Sequence, residues 1–74
     1  MIEDLDIVAL TRDLPGEGLA AGDVGTVVHV YRDFEAYEVE FATLTGMTIG
    51  VVTLEAGSIR PVAEREIAHV RLVA

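Results

Sequence analysis

The feature that most constrains this chain is a strict alternation of apolar and acidic side chains over residues 37–41. Because successive side chains of a β-strand point to opposite faces, a period of two predicts a strand that buries Tyr37, Val39 and Phe41. The same strand presents Glu38 and Glu40 to solvent, as a half-exposed antiparallel strand does. The chain is therefore expected to contain a sheet with one core-facing side and one acidic side.

Glycine and proline divide the rest of the chain into short segments rich in β-branched and aromatic residues, which favour strands. The predicted strands are residues 5–10, 26–31, 37–41 and 47–54, and residues 59–62 fit either a short fifth strand or a single tight turn. A long loop is predicted over residues 12–22, and residues 64–73 fit a helix or a last strand, with the strand favoured. Five to six short antiparallel strands without a strong helix predict an all-β fold, a small barrel or rolled sheet, with residues 1–74 as one domain.

The composition is that of a small folded protein. Of its 74 residues, 51% are hydrophobic and 24% are charged, which is typical of globular rather than disordered chains. No apolar run approaches the roughly 20 residues that span a bilayer, and the first residues are acidic where a targeting signal is basic. The chain has no cysteine, so it cannot form disulfides. We expect a cytoplasmic protein without membrane contact, either a monomer or a small homo-oligomer.

The charge is strongly negative. Thirteen acidic residues stand against five basic ones, all arginine, for a net charge of −8. Such a field repels nucleic-acid phosphate and raises the rate of encounter with a basic protein surface. The same acidity also keeps a small domain soluble. Charge therefore argues against nucleic acid as a partner and fits a basic protein, without identifying it.

Residues that could carry catalysis or bind a cofactor do not form a known pattern. Ser58 is the only serine and lies in a glycine-rich turn without the flanks of a nucleophile elbow. His29 and His69 belong to no short metal-binding motif. The glycines at positions 16, 18 and 22 do not have the dinucleotide-binding spacing. We therefore predict no catalytic residue, no metal site and no cofactor.

Several stretches together resemble the bacterial family of domains of unknown function numbered 4926. They are residues 6–10 through 13–15, residues 19–28, residues 37–41 and residues 54–62. The resemblance covers nearly the whole chain and implies an SH3-like β-barrel, but it brings no established activity. The segment from Gly22 to Val28 is also similar to the turn of KOW-type barrels, in which a glycine lets the loop bend sharply into a strand.

We expect a non-enzymatic module that binds another protein, such as an accessory or neutralising partner of a more basic protein. The candidate contact residues are Glu38 and Glu40 on the acidic strand face, and Tyr31, Arg32 and Phe34 beside it. The alternative is a KOW-like barrel associated with nucleic acid or the ribosome, suggested by the glycine turn. An enzyme comes third, and a pocket that joins a histidine to carboxylates and perturbs a pKa there would favour it.

Overall fold

The described residues form one antiparallel sheet. This computed structural model describes residues 2–73, with Phe34 described by its main chain alone. The strands are β1 (Ile7–Leu10), β2 (Val24–Val30), β3 (Ala36–Ala42), β4 (Thr48–Glu55) and β5 (Ile59–Pro61). Their order in the sheet is β4-β3-β2-β1-β5, and every neighbouring pair is antiparallel. The predicted all-β class is therefore confirmed, with five strands.

The sheet is open but curled. Strands β4 and β5 lie at its two edges and do not pair, yet only the 3-10 turn Ala56–Ser58 separates them along the chain. Three residues cannot cross a flat sheet of five strands, which would be roughly 19 Å wide at 4.8 Å per strand spacing. The sheet must therefore bend so that its edges approach each other at this turn, and the bend encloses the core.

The core lies on the inner face of this curled sheet. Tyr37, Val39 and Phe41 are 3%, 0% and 2% exposed, as their alternation with glutamate predicts. Leu14 and Leu19 join them from the first loop, where their main chains form an isolated bridge. The other members of the core cluster are Ile2, Val8, Leu10, Val27, Leu54 and Ile59.

Two glycines before and within β2 have different physical roles. Gly22 has a φ of 92°, which glycine adopts without strain, and it makes the bend that precedes the strand. Gly25 instead lies inside β2, where an added Cβ would come within 2.6 Å of Val39 and 2.9 Å of the Glu40 carbonyl oxygen. The sequence pattern attributed both glycines to the turn, whereas Gly25 serves the close packing of β2 on β3.

The C-terminal tail, residues 62–73, forms neither of the predicted elements. It has no strand and no helix, so the favoured interpretation of residues 64–73 as a last strand is wrong. Two ion pairs hold the tail: Glu66 with Arg60, and Arg71 with Asp23. The apolar side chains Ile67 and Leu72 remain 93% and 94% exposed. Alternation near the end of the chain suggested a strand, but these apolar residues have no core to enter.

The Arg60–Glu66 pair makes the order of the tail depend on pH. Hydrogen bonds from Arg60, at 2.7 and 2.6 Å, lower the pKa of Glu66 from 4.5 to about 2. Because the pKa is depressed in the folded chain, the pair contributes fully to the order of the tail above pH 4.5, and this contribution is lost as the pH falls toward 2.

We expect the heteronuclear NOE of residues 63–66 to fall as the pH is lowered from 4.5 to 2. Glu66→Gln should show the low value already at pH 7, and a profile unchanged between pH 5 and 2 would contradict this role.

Candidate protein-binding face

The register of β3 places both predicted glutamates on the outer face of the sheet. Glu38 and Glu40 are half-buried and point away from the core, because their neighbours along the strand point into it. On β4, Thr53 lies opposite Glu38 and Val51 lies opposite Glu40. The two carboxylates therefore stand in adjacent rows, about 7 Å apart along the strand.

Hydroxyl groups of β4 position these carboxylates. The Thr48 hydroxyl donates a hydrogen bond of 2.8 Å to Glu40 Oε2, and the Thr53 hydroxyl donates to Glu38 Oε1. In these contacts the hydroxyls bind one oxygen of each carboxylate. The other oxygen of each remains available as an acceptor for a basic group, which pairs with carboxylates by charge-assisted hydrogen bonds. Both side chains are thus oriented for contact across the face.

The β2 side of the face adds an aromatic pair. His29 lies opposite Glu38 in the register, beside the bulge between Val27 and His29. Its ring meets that of Tyr31 edge to face, with centroids 4.8 Å apart and planes at 85°, a favourable aromatic geometry. The predicted contact residue Tyr31 therefore contacts His29, and His29 lies opposite Glu38. We call Glu38, Glu40, His29, Tyr31 and Val51 the acidic face.

Apolar side chains border the carboxylates. Val51 on β4 is 52% exposed, and Ile7 on β1 is 47% exposed. The register places Val51, Glu40, Thr26 and Ile7 in one row across four strands. Interfaces combine an apolar contact area with polar groups that fix orientation. This row combines the two, because Val51 and Ile7 are apolar whereas Glu40 and Thr26 are polar.

The other predicted contact residues lie at one end of the face. Tyr31 is exposed, and its main-chain N–H donates to the Ala36 carbonyl at 2.9 Å, which fixes where β2 ends. Arg32 is exposed in the 3-10 turn Arg32–Phe34. The predicted contact by the Phe34 side chain lies outside what the structure describes. The structure thus places Tyr31 beside His29, which lies opposite Glu38, and places Arg32 beyond them.

His29 is the residue that sequence reasoning missed. It belongs to no short motif in the sequence, so it is absent from the predicted contact residues. Its role depends on the register between β2 and β3, and the bulge shifts that register by one residue. A bulge of this kind has no signature in a single sequence. The only available signal was that positions 29 and 31 of one strand share a face.

The segment from residue 33 to residue 55, which contains the β3–β4 hairpin, carries only negative charges. Residues 33–55 contain five acidic side chains, Asp33, Glu35, Glu38, Glu40 and Glu55, and no arginine, lysine or histidine. This third of the chain therefore carries five of its thirteen acidic residues without a compensating base. The electrostatic field at this part of the surface is more negative than at segments where arginines pair with the acids.

A concavity of about 820 Å³ lies beside the tail. His69, Asp23 and Glu66 line it, so a histidine and two carboxylates do share one cavity. Both carboxylates are bound by arginine: Arg71 lowers the pKa of Asp23 and Arg60 lowers that of Glu66. A lowered pKa keeps a carboxyl ionised and makes it a poor general acid. The two carboxylates therefore serve ion pairs with the tail, between Glu66 and Arg60 and between Asp23 and Arg71.

The residues associated with other chemistry are dispersed. Ser58 is buried in the turn before β5, where its hydroxyl accepts a hydrogen bond of 2.9 Å from Arg12 Nε. Among residues 2–73, no group of three or more histidine, cysteine, aspartate or glutamate side chains is placed to hold a metal ion. In the same part of the chain, no helix is long and apolar enough to cross a membrane.

Fold and face together define a small all-β protein of five antiparallel strands whose outer sheet surface carries paired carboxylates. The sequence profile of a family described as a domain of unknown function (DUF4926) matches residues 4–61. The chain belongs to this family. The matched region contains all five strands and the acidic face and stops at Pro61, before the tail. No curated protein and no solved structure matches the chain.

Proposed function

We propose that this protein is a non-enzymatic module that binds a basic protein through the acidic face. The observation that carries the proposal is the placement of Glu38 and Glu40, oriented by threonine hydroxyls and bordered by exposed apolar side chains, in a hairpin without a basic residue. Oriented carboxylates give specificity and a fast encounter, and the apolar border supplies contact area. By binding, the protein would act as an accessory subunit of the basic protein or neutralise its activity. We place this role in the cytoplasm, where a cysteine-free chain is suited to the reducing conditions.

The glycine turn that suggested the KOW-like alternative is present, but it does not favour nucleic acid over a protein partner. Gly22 is explained by its positive φ and Gly25 by packing against Val39. Neither role requires contact with a nucleic acid. The net charge of −8 adds a repulsion that phosphate binding would have to overcome. We therefore argue for a protein partner and retain nucleic acid as an outcome of the test.

The test compares two variants of this protein that have the same net charge. Glu38→Gln/Glu40→Gln removes the carboxylates of the acidic face, whereas Glu17→Gln/Glu64→Gln removes two exposed carboxylates elsewhere. The ligand is the protein that the natural chain captures from a cell lysate at low salt and releases when salt is added. We expect the first variant to bind this protein at least tenfold more weakly than the natural chain at low salt. That loss corresponds to about 1.4 kcal/mol or more, comparable with the roughly 1.5–3 kcal/mol of one hydrogen bond to a charged group. Calorimetric titration with the purified partner measures it.

The control variant should lose less than about threefold, because distant surface charges act only through the screened general field. Equal losses in both variants would show that binding depends on total charge, which contradicts a specific face. RNA or duplex DNA bound with an affinity that falls with salt would contradict a protein partner and restore the alternative.

A further inference from the structure

Strand β4 is an edge of the sheet with no partner on its outer side. It has eight residues and pairs with β3 alone, and the sheet order ends with it. The opposite edge differs, because β5 has three residues and ends at Pro61, and proline cannot donate a ladder hydrogen bond. Of the two edges in the described sheet, β4 is the long one and presents a row of free main-chain N–H and C=O groups.

This edge lacks the features that normally prevent pairing. Edge strands are usually short or carry lysine, proline or bulges. The only charged residue of β4 is Glu55 at its end, and the strand has no proline. Its one irregularity lies near its start, between the partners of Phe41 and Ala42, so that Gly50–Glu55 pairs regularly with β3. Most of β4 is therefore ready to accept another strand.

The charges beside β4 specify what kind of strand fits. Glu38 and Glu40 lie one strand inward from the edge, on the outer face. Their separation of about 7 Å equals the repeat of alternate side chains in any added strand. An added strand would lie roughly 9.6 Å from β3, two strand spacings away. The long side chains of lysine and arginine span this distance over the row of Thr53 and Val51.

We propose that β4 pairs with an extended segment of the partner that carries lysine or arginine at alternate positions, so that their charges reach Glu38 and Glu40. This inference rests on the proposed function and adds to it the main-chain conformation of the bound segment. A second copy of this chain fits less well, because it would bring together two β3–β4 hairpins that each hold three acidic and no basic residues.

The test uses a capped octapeptide of alternating lysine and threonine, with the same peptide N-methylated at every backbone amide as its control. Methylation keeps the charges but removes the main-chain donors that strand addition requires. We expect the methylated peptide to bind at least tenfold more weakly. With saturating unmethylated peptide, alternate amides of β4 should exchange with solvent at least tenfold more slowly, as measured by NMR.

A pair of charge variants tests the position of the segment. Val51→Lys introduces a cation on the outer side of β4, and Leu44→Lys introduces the same charge in the exposed turn of the same hairpin. We expect the affinity for the unmethylated peptide to fall at least tenfold in the first variant and less than threefold in the second.

The outcomes separate this inference from the proposed function. Equal binding of both peptides, with unchanged exchange in β4 but a loss in Glu38→Gln/Glu40→Gln, would overturn strand addition and leave the acidic face as the binding site. Protection of β4 that is indifferent to Glu38→Gln/Glu40→Gln would support pairing and contradict the acidic face. Failure of the peptide to bind, or self-association through β4 in sedimentation equilibrium, would overturn the inference.

Discussion

Phe41→Ala should destabilise this protein by about 3–5 kcal/mol, the usual cost of truncating a buried phenylalanine. The side chain is 2% exposed and lies on β3 between Gly25 of β2 and Gly50 of β4. Neither glycine has a side chain that could move into the space, so a cavity would remain. A chain of this length has a total stability on the order of 4–11 kcal/mol, so the variant should be partly unfolded at 37 °C.

Chemical denaturation monitored by circular dichroism measures this loss. Leu44→Ala is the control, because Leu44 is 82% exposed in the turn of the same hairpin and should change stability by less than about 0.5 kcal/mol. If both variants lost equally little, the aromatic ring would not be part of the core, and the inward assignment of Phe41 would be wrong.

Gly25→Ala has the second largest expected effect, a loss of about 1–3 kcal/mol from overpacking. The new Cβ would come within 2.6 Å of Val39 Cγ1 and 2.9 Å of both the Glu40 carbonyl oxygen and Phe41 Cε1. A side chain can rotate away from such a contact, but the Glu40 oxygen is main chain and moves only if β2 separates from β3. Thermal and denaturant unfolding of the variant measure the cost.

Gly50→Ala provides a matched comparison, since both glycines are in strands and both lie opposite Phe41. At Gly50 nothing lies within 4 Å of an added Cβ, and φ is not positive. We expect a change within about 0.5 kcal/mol, or a small gain from the reduced freedom of the unfolded chain. Similar losses in the two variants would show that the close approach of β2 to β3 is absent in solution.

The sequence was most informative where one face of a strand is buried. The alternation over residues 37–41 predicted which side chains of β3 enter the core, and the structure buries Tyr37, Val39 and Phe41 as expected. Burial imposes a period of two on any half-exposed strand, so a local pattern suffices. The same pattern predicted that Glu38 and Glu40 lie together on the outer face.

Other features depend on contacts between distant segments and could not be predicted. The position of His29 beside Glu38 follows from a bulge between β2 and β3, and the role of Gly25 follows from the approach of Val39. The tail shows the opposite failure, because its local alternation resembles a strand although it pairs with no strand of the sheet. Its position is set by the pairing of Arg71 with Asp23, 48 residues apart.

The central claim is that the acidic face contacts basic groups of a partner, and carbodiimide cross-linking tests it most directly. Because this chain contains no lysine, cross-links between its carboxylates and lysine residues identify the partner's contact positions without internal background. We predict cross-links at Glu38 and Glu40, located by mass spectrometry of the complex. Cross-links confined to Glu17, Glu64 or other carboxylates outside the β3–β4 hairpin would contradict the account.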